Sequence, residues 1–320
     1  MIIPIFIPHE GCPNDCAFCN QRTISGKSKA PDIQSAQNII EEYLAGADGK
    51  ADQIAFFGGS FTGIDKEKQN EYLSLAKSYI INGNVKSLRL STRPDYIDKE
   101  TVKRLASYGV ENIELGAQSM DENVLLLSKR GHSVYDVEKA SEIILEEGAT
   151  LGLQMMTGLP GDTPEKSNHT AREFKRLGAK ETRIYPTVVL RGTYLEKMLL
   201  SGEYMEHSVE DAVEISAKLY RYFKENEIKI LRIGLPDGED LRENYVAGAY
   251  HPSLGEMVIS RYVRNKIEEE CRGKDINVLV NPGFLSKFNG NKRCNITYFK
   301  NKGININVTV TKSVETYANV

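Results

Sequence analysis

The sequence predicts an α/β fold, a partial (β/α)6 barrel of the TIM type with a small α+β appendage at its C-terminal end. Three observations lead there. Short runs rich in β-branched and aromatic residues alternate with longer amphipathic runs, giving six strand–helix steps in roughly 200 residues. The loops of unusual composition each come directly after an expected strand, which is where a barrel of this kind collects its chemistry. Near residue 270 the composition changes, and Asn and Lys become frequent.

The first expected strand is Ile2–Ile7, and residues 53–57, 87–91, 112–115, 151–155 and 183–188 supply the next five. Between them, residues 35–44, 66–80, 99–107, 134–147 and 164–177 place apolar side chains at helical spacing. A long helix over 208–226, a strand at Lys229–Ile233 and a helix over about 254–271 follow. The last segment reads as a strand at 277–280, a short helix at 291–300 and a strand at 304–310. The chain thus divides into a barrel core at 1–205, a helical and strand extension of it at 206–270, and a basic appendage at 271–320.

Composition excludes several classes. With 27% charged and 40% hydrophobic residues, the chain has too much apolar material for a disordered segment. No apolar run reaches the ~20 residues of a membrane span, so no membrane partner is expected. Five cysteines, three of them within eight residues, do not form the framework of a small secreted scaffold. A reducing, cytoplasmic setting is expected. The formal charge of −3 is uneven: residues 271–320 hold eight Lys and Arg against two acids, a net of +6, while residues 1–270 carry −9.

Cys12, Cys16 and Cys19 have the spacing C-x3-C-x2-C on the loop after the first strand. Three thiolates on one tight loop suit three corners of a cubane iron–sulfur cluster and leave one iron open to a small chelating molecule. A zinc site closed by His9 is the structural alternative. Cys271 and Cys294 have no ligand at short spacing and read as bystanders.

The later loops have their own chemistry. Gly58 and Gly59 follow the second strand, where absent side chains let a ligand approach the backbone, although a plain turn uses the same residues. Ser60, Ser91 and Arg93 bring hydroxyls and a cation suited to ribose and carboxylate; Arg93 pairing with Asp95 to shape its loop is the other reading. Glu114 is expected to flank the sheet, and Gln118 to stand at its strand's mouth. Arg130, just past a short helix, is able to pair bidentately with a carboxylate or to lie on the surface. Gly158 opens a Gly-Leu-Pro-Gly turn.

Together these segments resemble the radical S-adenosylmethionine (radical SAM) superfamily, with Phe18 in the aromatic place before the last cysteine. The resemblance implies the radical SAM type of partial barrel. It also implies a [4Fe-4S] cluster on Cys12, Cys16 and Cys19 whose open iron binds S-adenosylmethionine, which is cleaved to a 5′-deoxyadenosyl radical. Cofactor contacts are implied for Phe18, Gly58, Gly59, Ser60, Ser91, Arg93, Gln118, Arg130 and Gly158, with Ser60 standing where the family usually has an acid. A reductant such as ferredoxin or flavodoxin is implied as partner.

Residues 114–119, 129–132, 158–161 and especially 184–193 resemble the radical domain of the Elongator catalytic subunit over roughly 1–205. That family modifies the wobble uridine of tRNA. The 320 residues leave no room for its acetyltransferase domain, so a separate acyl donor protein is expected. Tyr185 reads either as a substrate-facing catalytic residue or as a core tyrosine. In the appendage, residues 288–296 faintly resemble the glycine turn of a KH module, with Lys292, Arg293, Lys300 and Lys302 as contacts to substrate RNA; a solvated strand–helix–strand is the alternative. Two rival functions stay open: a radical SAM enzyme acting on a small molecule such as a porphyrin precursor, and a non-catalytic redox sensor or RNA-binding module.

Overall fold

The computed structural model describes residues 1–8, 16–19, 30–270 and 273–319. Cys12, His9 and Cys271 lie outside them. Strands β1 (Ile2–Ile7), β2 (Ala51–Gly58), β3 (Val85–Thr92), β4 (Val110–Gln118), β5 (Thr150–Thr157) and β6 (Glu181–Pro186) line up in chain order, all parallel. The expected extension adds a seventh strand, β8 (Lys229–Ile233), beside β6. Among the described residues β1 and β8 are the free edges, so the barrel stays open.

Alternation along the strands sorts the side chains. Ile3, Ile5, Ile54, Leu88, Leu90, Leu115, Leu151, Leu153 and Ile184 are fully buried on one face. They pack under α1 (Ile33–Ala45), α2 (Lys66–Ile81), α3 (Lys99–Ser107), α5 (Val134–Glu146), α6 (Pro164–Arg176) and α8 (Val209–Glu225). Each such side chain contributes about 2 kcal/mol by leaving water. Helix starts are set locally. Asp32, Asp65 and Asp98 cap α1, α2 and α3, Asp121 caps the short α4 (Glu122–Leu127), and Ser133 forms a capping box with Asp136 on α5. Each cap is worth about 1 kcal/mol.

The strand expected over 183–188 is interrupted. Pro186 ends β6, and the backbone N–H and hydroxyl of Thr187 both donate to the Thr157 carbonyl, at 2.9 and 2.7 Å. The chain turns away there. Val188–Leu190 becomes β7, paired antiparallel with β9 (Tyr245–Gly248) in a separate ribbon. Two further helices, α7 (Tyr194–Ser201) and α9 (Glu239–Asn244), flank that ribbon in sequence. No helix among the described residues is long and apolar enough to cross a membrane.

The C-terminal segment is a three-stranded sheet in the order β11 (Asn305–Val310), β10 (Asp275–Val280), β12 (Tyr317–Asn319). β10 and β11 are parallel, joined through α11 (Leu285–Asn289) and α12 (Cys294–Asn301). Its apolar face shares one core with the extension: Val278, Val280, Phe288 and Phe299 pack with Val258, Val263 and Ile267 of α10 (Leu254–Glu270) and Val213 and Ala217 of α8.

Gly58, the last residue of β2, lies against Ile7 at the end of β1. Its φ is +118°, and a Cβ there would sit 2.4 Å from the Ile7 carbonyl oxygen. Gly58→Ala is expected to lower stability by about 1–3 kcal/mol, from backbone strain and that clash. Urea unfolding measures it, and an unchanged midpoint would show that the β1–β2 junction tolerates a side chain.

Candidate active site

The loop after β1 is held from both sides. The Ala17 N–H donates to the Ser128 carbonyl at the end of α4, and the Ala17 carbonyl accepts from the Leu195 N–H at the start of α7. Cys19 N–H bonds back to the Cys16 carbonyl at 3.0 Å, closing a tight turn between the two sulfurs. Cys16 is buried, and its Sγ accepts from Arg130 Nη1 at 3.2 Å. Arg130 Nη2 donates to the Gly116 carbonyl at 2.6 Å. The guanidinium therefore ties the cysteine loop to the mouth of β4, with the Phe18 ring 5.9 Å away.

After β2, the Gly59 N–H donates to the Ile7 carbonyl at 2.8 Å. The hydroxyls of Ser60 and Thr62 both reach Thr92 Oγ1, at 2.8 and 2.6 Å, and the Arg93 N–H donates to Ser60 Oγ. Ser60 is thus engaged in joining the β2 and β3 loops. Arg93 makes the ion pair with Asp95, both bonds 2.9 Å, and also donates to the Arg130 carbonyl at 2.8 Å. It fixes the backbone from which Arg130 projects. Ser91 lies in register with Glu114, near the end of β3.

β4 is irregular between Leu115 and Gln118, a bulge of the kind that re-aims a side chain. Gln118 has φ +68°, and its buried Oε1 has no hydrogen-bond partner among the described residues. His132 Nε2 lies 3.2 Å from the Ala117 carbonyl. Burial, with the charges of Arg130 and Arg93, lowers its pKa to about 3. The ring is therefore neutral near pH 7, and Nε2–H donates to that carbonyl.

The turn after β5 is braced by residues the sequence reading missed. Gly158 N–H donates to Asp162 Oδ2 at 2.8 Å, and the Gly158 carbonyl accepts from Tyr204 Oη at 2.7 Å. Burial pushes the Asp162 carboxyl and the Tyr204 phenol up. Tyr204 also belongs to the apolar cluster of Val189, Leu195 and Met198 against which Phe18 packs. One tyrosine thus links the cysteine loop to the Gly158 turn. Nothing in the local sequence around 204 marks it, because its partners are far along the chain.

Inside the barrel, Glu114 does not flank the sheet; it is buried at the centre of an ion network, with 1% exposure. Arg183 grips it with Nε and Nη2 at 2.6 and 3.0 Å, and Arg89 Nη1 and Gln154 Nε2 donate to it at 2.8 and 3.0 Å. Arg89 Nη2 also reaches Glu181 at 2.7 Å. Burial alone would raise the Glu114 carboxyl, but hydrogen bonds from Arg183 and Gln154 and the two cations hold it below the usual range. Charged residues at alternate strand positions, Glu181 and Arg183 above all, were the available signal for this lining. Tyr185 is half-buried beside Arg183, opposite Met156 in register, and burial raises its phenol while the Arg183 charge pulls the other way.

A model of the radical SAM superfamily matches residues 6–174, more than half of the chain, and one of the Radical_SAM C-terminal domain matches 179–264. The chain belongs to the radical SAM superfamily. It is 25% identical, over 95% of its length, to the tRNA uridine(34) acetyltransferase of Methanocaldococcus jannaschii, and covers 64% of that protein. It is 33% identical to human Elongator complex protein 3 over 41% of this chain and 25% of that one. The chain therefore spans less than two thirds of the length of these relatives. The solved archaeal Methanocaldococcus infernus Elp3 with an N-terminal deletion superposes with a TM-score of 0.64 at 22% identity, over 85% of this chain and 64% of that one, and shares its fold.

Radical SAM membership implies S-adenosylmethionine and a 4Fe-4S cluster, and the described residues fit both. Cys16 and Cys19 are soft sulfur donors on one turn with a guanidinium at hand, and the buried Gln118 Oε1 accepts no hydrogen bond among the described residues. Lys292 and Arg293 lie elsewhere, in the turn between α11 and α12 against α10, and Lys302 is paired with Glu268. Lys300 is exposed on α12.

Glu114→Ala would leave Arg89 and Arg183 without their shared counter-charge, at a cost of about 3–5 kcal/mol. Chemical denaturation reads this directly, and a variant as stable as the parent would mean that the clamp contributes nothing. For His132 the folded pKa is lowered, so the unfolded chain takes the proton first. Stability should therefore fall as pH drops from about 6.5 toward 3. Thermal melts of His132→Asn, which keeps a donor for Ala117, should show less loss over that window.

Proposed function

We propose that this radical SAM enzyme modifies tRNA at the wobble uridine, with a [4Fe-4S] cluster on Cys12, Cys16 and Cys19. The observation that carries this reading is the likeness to the Methanocaldococcus jannaschii tRNA uridine(34) acetyltransferase. It covers 95% of the chain and so extends beyond the superfamily match at 6–174. The +6 charge of residues 271–320 supports an RNA substrate independently.

When bound, the cluster and S-adenosylmethionine supply a 5′-deoxyadenosyl radical for hydrogen abstraction. This chain's own residues bind and orient. The backbone at Gly58 and Gly59 and the acceptor of Gln118 receive the cofactor's polar groups, with Ser91 beside them. Ser60 and Arg93 hold the loops that shape this cradle, and the Arg130 guanidinium stands between the Cys16 sulfur and the Gly116 carbonyl. Phe18 walls the cysteine loop, and the Gly158 turn, braced by Tyr204, takes the adenine edge. Tyr185 faces the substrate, as hydrogen donor or stacking ring. Lys292, Arg293, Lys300 and Lys302 contact RNA phosphates. The partners are a ferredoxin or flavodoxin as reductant and a separate protein as acyl donor, in the cytoplasm.

Protein reconstituted without oxygen should bind four iron atoms per chain and release 5′-deoxyadenosine with a strong reductant. Cys16→Ala should lose both the iron and the product, and full iron retention would overturn the cluster assignment. Mass spectrometry of bulk tRNA nucleosides from a deletion strain should lack one wobble-uridine modification. A normal profile would remove tRNA as substrate.

A further inference from the structure

A groove of about 370 Å³ lies between the first turns of α10 and the turn joining α11 to α12. It is lined by Glu256 and Met257 of α10, Ser286 and Asn289 of α11, and Lys292 and Arg293 of the turn. The turn is held rigidly on α10. Gly290 has φ +75°, and a Cβ there would lie 2.5 Å from Cys294 Sγ and 2.6 Å from Ser260 Oγ. The buried Asn295 amide nitrogen sits within 3.0 Å of the Ser260 carbonyl and hydroxyl and of the Phe288 carbonyl. Lys292 and Arg293, both exposed, occupy successive left-handed conformations, each of which costs a side-chained residue about 1–2 kcal/mol.

The lining combines cationic, polar and apolar side chains. Two cations suit a phosphate. Ser286 and Asn289 offer a hydroxyl and an amide to a sugar hydroxyl. Met257 offers a polarisable thioether suited to a ring face, and Glu256 an acceptor suited to the amino group on a base edge. The volume falls in the range of small-ligand clefts, roughly 300–1,000 Å³, enough for one nucleotide and too small for a duplex. A base edge can reach Glu256 only when it is unpaired.

We propose that this groove binds one unpaired nucleotide of RNA, its phosphate on Lys292 and Arg293 and its base between Met257 and Glu256. The proposal rests on the tRNA reading above and sharpens it: the segment held by the appendage is single-stranded. It also divides the four cations of the appendage, because Lys302 is paired with Glu268 and stacked on Tyr298, away from the groove lining.

The test is fluorescence anisotropy with the full-length, cluster-reconstituted protein and a labelled unstructured RNA oligomer. The same RNA annealed to its complement and a DNA oligomer of equal sequence serve as competitors. The single-stranded RNA should compete best. Lys292→Glu with Arg293→Glu should weaken binding at least about tenfold and flatten the log–log salt slope by roughly 0.7, for the one phosphate the pair holds on a single strand. Ser286→Trp, which fills the groove without changing charge, should weaken it by about fivefold or more. Equal competition by duplex or DNA would overturn the proposal, as would unchanged affinity in both variants with iron content and melting temperature preserved. Should Ser286→Trp fail to fold, the exposed charge pair still decides. If oligomer binding behaves as stated while the tRNA nucleoside profile of the deletion strain is normal, the groove stands and the tRNA reading falls. The reverse pattern removes the groove alone.

Discussion

The clamp of Arg183 and Arg89 on Glu114 is the constraint to which the rest of the barrel answers. An open parallel sheet can bury apolar side chains on only one face unless something fills the other. Here the inner face is filled with charge: two arginines, two glutamates and the amides of Gln53, Asn112 and Gln154. The network reaches from β2 to β6, so five neighbouring strands are fixed relative to one another by paired charges. Such a lining is costly to desolvate and unforgiving of a missing partner, but it leaves the lumen polar and charge-balanced.

Above that floor, the loops at the strand ends are bound to one another. Arg93 holds the carbonyl of Arg130, Arg130 holds the Cys16 sulfur and the Gly116 carbonyl, and the cysteine turn rests between α4 and α7. Phe18 and Tyr204 continue the chain of contacts to Gly158. Residues from five separate loops thus form one cradle, and the preorganisation a radical SAM site needs is built largely from backbone carbonyls and a few guanidinium groups.

Much of this was legible in the sequence, and the parts that were not share a physical reason. Period-two apolar runs located six strands, and the extension strand was seen, because each pattern is local. The cysteine spacing was visible because it is local too, and Gly58–Gly59 because glycine itself marks a close approach, here to Ile7 of the neighbouring strand. The break at Thr187 was not, since it depends on hydrogen bonds to the Thr157 carbonyl thirty residues earlier. Glu114 was assigned to the sheet's flank because a charge at a strand position ordinarily points to solvent; its partners Arg89 and Arg183 come from other strands. Arg93 forms the ion pair with Asp95 that one of its two readings expects.

The appendage and the extension share one core, with Phe288 and Phe299 packed among side chains of α8 and α10. A domain on a flexible tether searches a volume, and its usefulness is described by an effective concentration. A segment cemented into its neighbour's core has no such freedom. Whatever its surface holds is presented to the barrel at one fixed span and angle, so the chain works as a caliper, and a ligand must match its length and shape as well as its chemistry.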